Sequence, residues 1–161
     1  NEERESKKIE KQERHRILDK NLEDRFIKLK CVEIENLVKY EILLEVIKDL
    51  EGLDSVEKLQ LKDDISEKIK VNTNYYQKIR IGDFIDNELL EKNSTTRKGK
   101  NKDTGKLEEG NYKYSDDSGT IKDKKSFCFS AIKYTKSYDD LSQEAKDLCK
   151  KMYSFIENHN K

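Results

Sequence analysis

The sequence predicts a helix-dominated α+β fold, and three observations carry that reading. The 161-residue chain contains no proline, so no ring removes a backbone donor or clashes with a preceding helical turn. Apolar residues recur at helical spacing over 17–50, 56–69 and 141–156. Two shorter stretches, 75–81 and 126–135, instead alternate and are rich in β-formers. The expected architecture is a long N-terminal helical hairpin over 17–70, a C-terminal helix over 138–157, and a small antiparallel sheet of two or three short strands.

The charge pattern sets the domain plan. Charged residues make up 42% of the chain and apolar residues 33%, with 34 basic side chains balancing 34 acidic ones. An ordinary domain is about one quarter charged, so a core here has to be concentrated in few segments. Residues 1–16 hold a single aliphatic side chain, Ile9, and cannot bury a face alone. Glu3 with Lys7 and Glu10 with Arg14 stand at helical spacing, each pair worth about 0.2–0.5 kcal/mol. This stretch reads as a charged helical extension or tail, and residues 17–161 as one globular domain.

Within that domain, Leu18, Leu22, Leu29, Val32, Leu43, Val46 and Leu50 fall on one seven-residue seam, interrupted by Arg25, Asn36 and Lys39. A second stripe of Ile27, Cys31, Ile34 and Val38 widens the apolar face beyond a coiled-coil seam. The upstream part still allows a coiled coil with another chain. Asn36 then has two readings, a register-setting polar residue or a solvated edge position, and the second is the plainer. Gly52 stands where a helix ends in the left-handed conformation, and Asp54 or Ser55 can start the next helix, with Asp54 and Glu57 at capping-box spacing. The short link predicts antiparallel packing of the two helices.

Asn72-Thr73-Asn74 breaks the pattern before the first expected strand. A short helix follows Gly82-Asp83 and ends near Asn93. Residues 93–125 hold four of the six glycines and only Leu107 and Ile121 as aliphatics. Their first part is basic and their second acidic, which predicts a flexible charged insertion, with a loose hairpin around Tyr112 and Tyr114. In the last helix Leu141, Ala145, Leu148, Met152, Phe155 and Ile156 share a face. Ser137 or Ser142 can cap it, and Asp139, Asp140 and Glu144 suit its positive end.

No catalytic or cofactor motif emerges. His15 and His159 stand in charged or terminal surroundings, without metal-ligand spacing. Cys31, Cys128 and Cys149 are widely spaced, with no CxxC, and read as buried, inert free thiols of a cytoplasmic or other reducing compartment, with one exposed reactive thiol as the alternative. The stretch from Gly99 to Lys106 fails as a phosphate loop. Five residues separate its glycines, and Leu107 replaces the magnesium-binding hydroxyl residue. Asp116-Asp117-Ser118-Gly119 fails as a calcium loop, because the count puts Tyr114 at the first ligand position. Asn93-Ser94-Thr95 matches a glycosylation triplet that matters only in a secreted chain. No apolar run reaches membrane-span length and no signal peptide is visible. A leader or anchor upstream of Asn1 stays open.

These readings point to a protein-interaction or structural module, with an enzyme of unrecognised type, its site assembled from distant residues, as the third and weakest reading. A helix over 17–50 would span about 50 Å at 1.5 Å per residue and outreach a core of this size. Its exposed part, Leu18, Leu22, Phe26 and Leu29, is the expected partner-binding surface, for another protein or for self-association. The alternative is a nucleic-acid accessory role through Arg97, Lys98, Lys100, Lys102 and Lys106, with Tyr112 and Tyr114 as stacking faces. The neutral overall balance favours a solvated loop there.

Overall fold

A computed structural model of the chain describes residues 2–91, 97–100, 107–110 and 113–160. The fold is helix-dominated. Two compact units divide the chain: Asn1–Leu29 with Asp147–Lys161, and Lys30–Lys146. Among the described residues, six α-helical segments occur in order: α1 Glu2–Leu22, α2 Tyr40–Glu51, α3 Ile65–Val71, α4 Ile81–Asp83, α5 Lys124–Tyr134 and α6 Gln143–His159. The short α4 runs directly into a π-helical stretch, Phe84–Leu89.

The core lies in the Lys30–Lys146 unit. Helix α2 buries Ile42, Leu43, Val46 and Ile47 and packs on α5, which buries Phe127 and Ala131. Ile65 and Ile69 of α3, Tyr76, Ile81, Phe84, Ile85, Leu89, Tyr114 and Ile121 close the same cluster. Tyr76 and Phe84 meet with ring centroids 5.4 Å apart. Gly52 ends α2 in the left-handed conformation, φ 68°, and the Leu53 amide reaches back to the Lys48 carbonyl at 3.0 Å. That is the closure expected at this glycine.

The long helix over 17–50 does not form. Helix α1 stops at Leu22, Glu23 takes a positive φ of 49°, and residues 26–33 are non-helical. Around 33–37 the physical reason is Asn36. It is fully buried, and its side-chain amide donates to the carbonyls of Tyr76 and Ile79, each at 3.0 Å. Its Oδ1 accepts from the Glu33 amide at 2.9 Å. These bonds hold Ile34–Leu37 as a 3-10 turn, so Asn36 is neither a solvated edge nor a coiled-coil register residue.

The second arm of the expected hairpin also shortens. Ser55, rather than Asp54, starts the turn Val56–Lys58 by accepting from the Glu57 amide. The next residues then pair outside a helix. The Lys62 amide donates to the Leu89 carbonyl and the Glu91 amide to the Gln60 carbonyl, both at 3.0 Å. Helix therefore begins only at Ile65.

The sheet expected from 75–81 and 126–135 is absent. Tyr75–Lys78 is a 3-10 turn. The sequence alternation does not carry into burial, since adjacent Tyr76 and Gln77 are both buried, and side chains bond much of the backbone here. Asn36 takes two carbonyls, and the Glu33 carboxylate accepts from the Ile81 amide at 3.0 Å. Residues 124–134 are α5, because Asp123 accepts from the Ser126 amide at 2.9 Å and caps a helix. Phe127 and Ala131 then share its inner face, and tertiary burial overrides β-propensity. Strand pairing is limited, among the described residues, to isolated bridges and a local hairpin. In that hairpin Arg97–Lys100 (β1) runs antiparallel to Leu107–Gly110 (β2).

The expected insertion loses its C-terminal part to the core. Tyr114 and Ile121 are buried, and Asp86 accepts from the Tyr114 and Ser115 amides at 2.9 and 2.8 Å. Gly82 lets this segment approach: a Cβ there would lie 2.7 Å from the Thr120 carbonyl oxygen. Tyr112 and residues 92–96, 101–106 and 111 lie outside the described residues.

The C-terminal helix forms as expected, one turn later than its predicted start. Ser137 closes the preceding turn, Tyr138–Asp140, together with Asp140. The Ser142 hydroxyl accepts from the Ala145 amide at 3.2 Å. No membrane-crossing helix is present among the described residues, since none is long and apolar enough.

Candidate interaction surfaces

In the unit formed by Asn1–Leu29 and Asp147–Lys161, α1 is braced along its own length. Glu10 meets Arg14 at 3.0 Å, the pair expected from spacing, and Glu13 meets Arg16 at 2.7 Å. All four side chains are exposed, so each pair contributes only a few tenths of a kcal/mol. The expected partner residues fall at the end of this helix and just beyond it. Leu18 and Leu22 lie one turn apart on α1 and are half-buried, as are Phe26 and Leu29 in the following extended chain. The Phe26 ring sits 6.0 Å from that of His15. The surface therefore has a helical half and a non-helical half, not one continuous helix.

The second apolar surface of this unit is on α6, none of whose residues is buried. Leu148 and Phe155 are half-buried. Met152, Tyr153 and Ile156 are exposed by 52%, 63% and 52%. An amphipathic helix normally hides its stripe, and this one buries none of it fully and leaves Met152 and Ile156 exposed. His159 stacks on Phe155 at 4.1 Å and bonds its carbonyl at 2.9 Å.

The proposed nucleic-acid residues are only partly described. Arg97, Lys98 and Lys100 lie on β1, whereas Lys102 and Lys106 are outside the described residues. The register sets Lys98 opposite Glu109 and Gly99 opposite Glu108.

Polar clusters in the Lys30–Lys146 unit are structural. Asp49 on α2 accepts from Lys133 at 2.7 Å, Tyr134 at 2.6 Å and Ser130 at 3.0 Å, all on α5. Partial burial alone would push its carboxyl up, but these three donors outweigh it and hold it at about 2. Lys48 bonds Glu45 at 2.6 Å and the Tyr134 hydroxyl at 2.9 Å, and Glu45 first, then Tyr134, raises its ammonium further. Buried Glu35 pairs with Lys124 at 2.8 Å. Asp116 is held at about 2 by Ser118 and Thr120 within its own turn. Every one of these groups is occupied by a neighbour in the fold.

An open cleft on α3 is lined by Asp64, Glu67, Lys68, Val71, Asn72 and Tyr75. Lys68 bridges Asp64 at 2.7 Å and Glu88 at 3.7 Å, and the cleft holds no thiol or imidazole. No cluster of metal-ligating side chains occurs among the described residues. The thiols correct one expectation: Cys128 and Cys149 are exposed, and only Cys31 is half-buried. Burial pushes the Cys31 thiol up, away from thiolate chemistry.

Sequence reasoning missed the Asn36 staple, the Asp49 cluster and the outer face of α5, where Phe129 and Ile132 are 65% and 70% exposed. Reading 124–135 at a period of 3.6 separates that face from Phe127 and Ala131. Compared with protein-family profiles, curated proteins and solved structures, the chain matches none.

Proposed function

We propose that the chain is a protein-interaction module that presents apolar side chains of the Asn1–Leu29 and Asp147–Lys161 unit to another polypeptide. The observation that carries this reading is α6, a 17-residue amphipathic helix with no buried residue. Leu18, Leu22, Phe26 and Leu29 supply further half-covered apolar surface in the same unit. A helix face of this kind fits recognition in which anchors at i, i+3, i+4 and i+7 enter a partner's groove. In α6 the corresponding anchors are Leu148, Met152, Phe155 and Ile156, at i, i+4, i+7 and i+8.

The test is affinity capture from the native source, with and without nuclease, alongside sedimentation of the purified chain. The wild-type chain is expected to retain a protein partner after nuclease or to self-associate. Met152→Asp with Ile156→Asp, and separately Leu22→Asp with Leu29→Asp, should each reduce association at least tenfold, the scale of losing one buried anchor. Circular dichroism should stay unchanged, because none of the four positions is buried. Association that survives both pairs would overturn the proposal. Partners that vanish with nuclease would replace it with the nucleic-acid reading through the basic loop.

A further inference from the structure

The outer face of α5 lies outside the surface proposed above. Its inner residues, Phe127 and Ala131, are buried, and Tyr134 is half-buried. Positions 125, 129 and 132 point the opposite way at 100° per residue, placing Lys125, Phe129 and Ile132 together. Phe129 and Ile132 are among the most exposed large apolar side chains described, at 65% and 70%. An exposed Phe–Ile pair on an otherwise well-packed helix has no role in the core.

Lysine dominates the charge of the segment that carries the pair. Residues 122–136 contain Lys122, Lys124, Lys125, Lys133 and Lys136 against a single acid, Asp123. The carboxylate of Asp123 is used in the helix cap. Lys124 and Lys133 are paired with Glu35 and Asp49. Lys122, Lys125 and Lys136 are exposed, with Lys125 in electrostatic reach of the Asp123 carboxylate. The helix thus carries two exposed large apolar side chains, with exposed ammonium groups on its first turn and just beyond both ends.

We propose that this face docks on an anionic lipid bilayer surface, with Phe129 and Ile132 entering the headgroup boundary and Lys122, Lys125 and Lys136 facing the lipid phosphates and carboxylates. Size decides between a bilayer and a protein partner. A stable protein interface covers roughly 800 Å² on each side with close shape complementarity, and two side chains cannot supply that. A bilayer needs no shaped groove. It rewards a small apolar tip and each nearby lysine additively. The lysine stems can lie along the interface with their ammonium groups in water. The chain's net formal charge of zero is no obstacle, because membrane attraction falls off within a Debye length of about 8 Å and so reads the local patch.

The experiment is co-sedimentation of the full chain with vesicles of phosphatidylcholine and phosphatidylserine, and with vesicles of phosphatidylcholine alone. The chain should bind the mixed vesicles at low ionic strength, bind the neutral ones weakly, and lose binding as salt rises. Phe129→Ser with Ile132→Ser should lower the bound fraction roughly tenfold, as should Lys125→Glu with Lys136→Glu, on the scale of losing two interfacial contacts. Met152→Asp with Ile156→Asp should leave vesicle binding in place, which separates this face from the α6 surface. Absence of binding to the anionic vesicles would overturn the proposal. So would binding that survives the α5 pairs, or that is lost with the α6 pair instead. Retention of an acidic amphipathic peptide by α5, without vesicle binding, would assign the face to protein recognition and likewise overturn it.

Discussion

Asn36 shows how one side chain holds two separate turns of the chain. A fully buried amide must satisfy its donors and acceptor or cost about 1–3 kcal/mol for each group left unpaired. Here its contacts span the Ile34–Leu37 turn and the Tyr75–Lys78 turn, forty residues apart in the chain. Replacing it with Ala leaves two carbonyls and one amide to find water in a closed site. Asn36→Ala is expected to destabilise the chain by about 2–4 kcal/mol, read from urea unfolding. A loss below about 0.5 kcal/mol would mean that the turns hold themselves. Asn36 was visible in the sequence as an interruption of an apolar seam, but seam periodicity carries no information about partners forty residues away. Its burial became legible only with the fold.

At the scale of elements, legibility follows whether local signals act alone. The α6 stripe and its Ser142 cap, and the glycine closing α2, were readable because spacing, cap and left-handed glycine need no distant partner. The 17–50 helix failed because its seven-residue repeat bridged a stretch whose backbone bonds elsewhere, for example the Val32 amide to the Gln77 carbonyl at 3.0 Å. α5 was misread because SFCFSAIKYT satisfies a two-residue and a 3.6-residue period at once. The Asp123 cap and the packing on α2 decide the outcome. Of the candidate partner surface, Leu18 and Leu22 were placed on a helix correctly, whereas Phe26 and Leu29 continue as extended chain. The close fit of 113–121 against α4 belongs to this scale too. A methyl on Gly82 would come within 3 Å of three backbone atoms, at Ser115, Gly119 and Thr120, and backbone cannot rotate aside as a side-chain tip can. Gly82→Ala is therefore expected to cost about 1–3 kcal/mol and to raise hydrogen exchange at the Tyr114 and Ser115 amides, which Asp86 holds. Unchanged protection at those two amides would show that the loop fits independently of this glycine.

Across the whole molecule, burial is uneven. Every buried side chain among the described residues falls between Glu35 and Ser142, inside the Lys30–Lys146 unit. Helix α1 and the 147–159 part of α6 are described as regular helix without a buried residue between them. A helix of about 20 residues is marginal in water when packing does not support it, since nucleation is costly and propagation gains little per residue. Exposed i,i+4 ion pairs such as Glu10–Arg14 add only tenths of a kcal/mol. Opening free energies should therefore differ sharply along the chain. In hydrogen–deuterium exchange, amides of 5–22 and 147–159 should exchange at least tenfold faster than those of 42–50 and 127–134. A partner that covers the α6 stripe would supply the burial these helices lack, so its binding should slow exchange in 147–159 while leaving 42–50 nearly unchanged. Equal protection in all four segments of the isolated chain would mean that the stripe is already stabilised within one molecule, and the case for an external partner on that surface would fail.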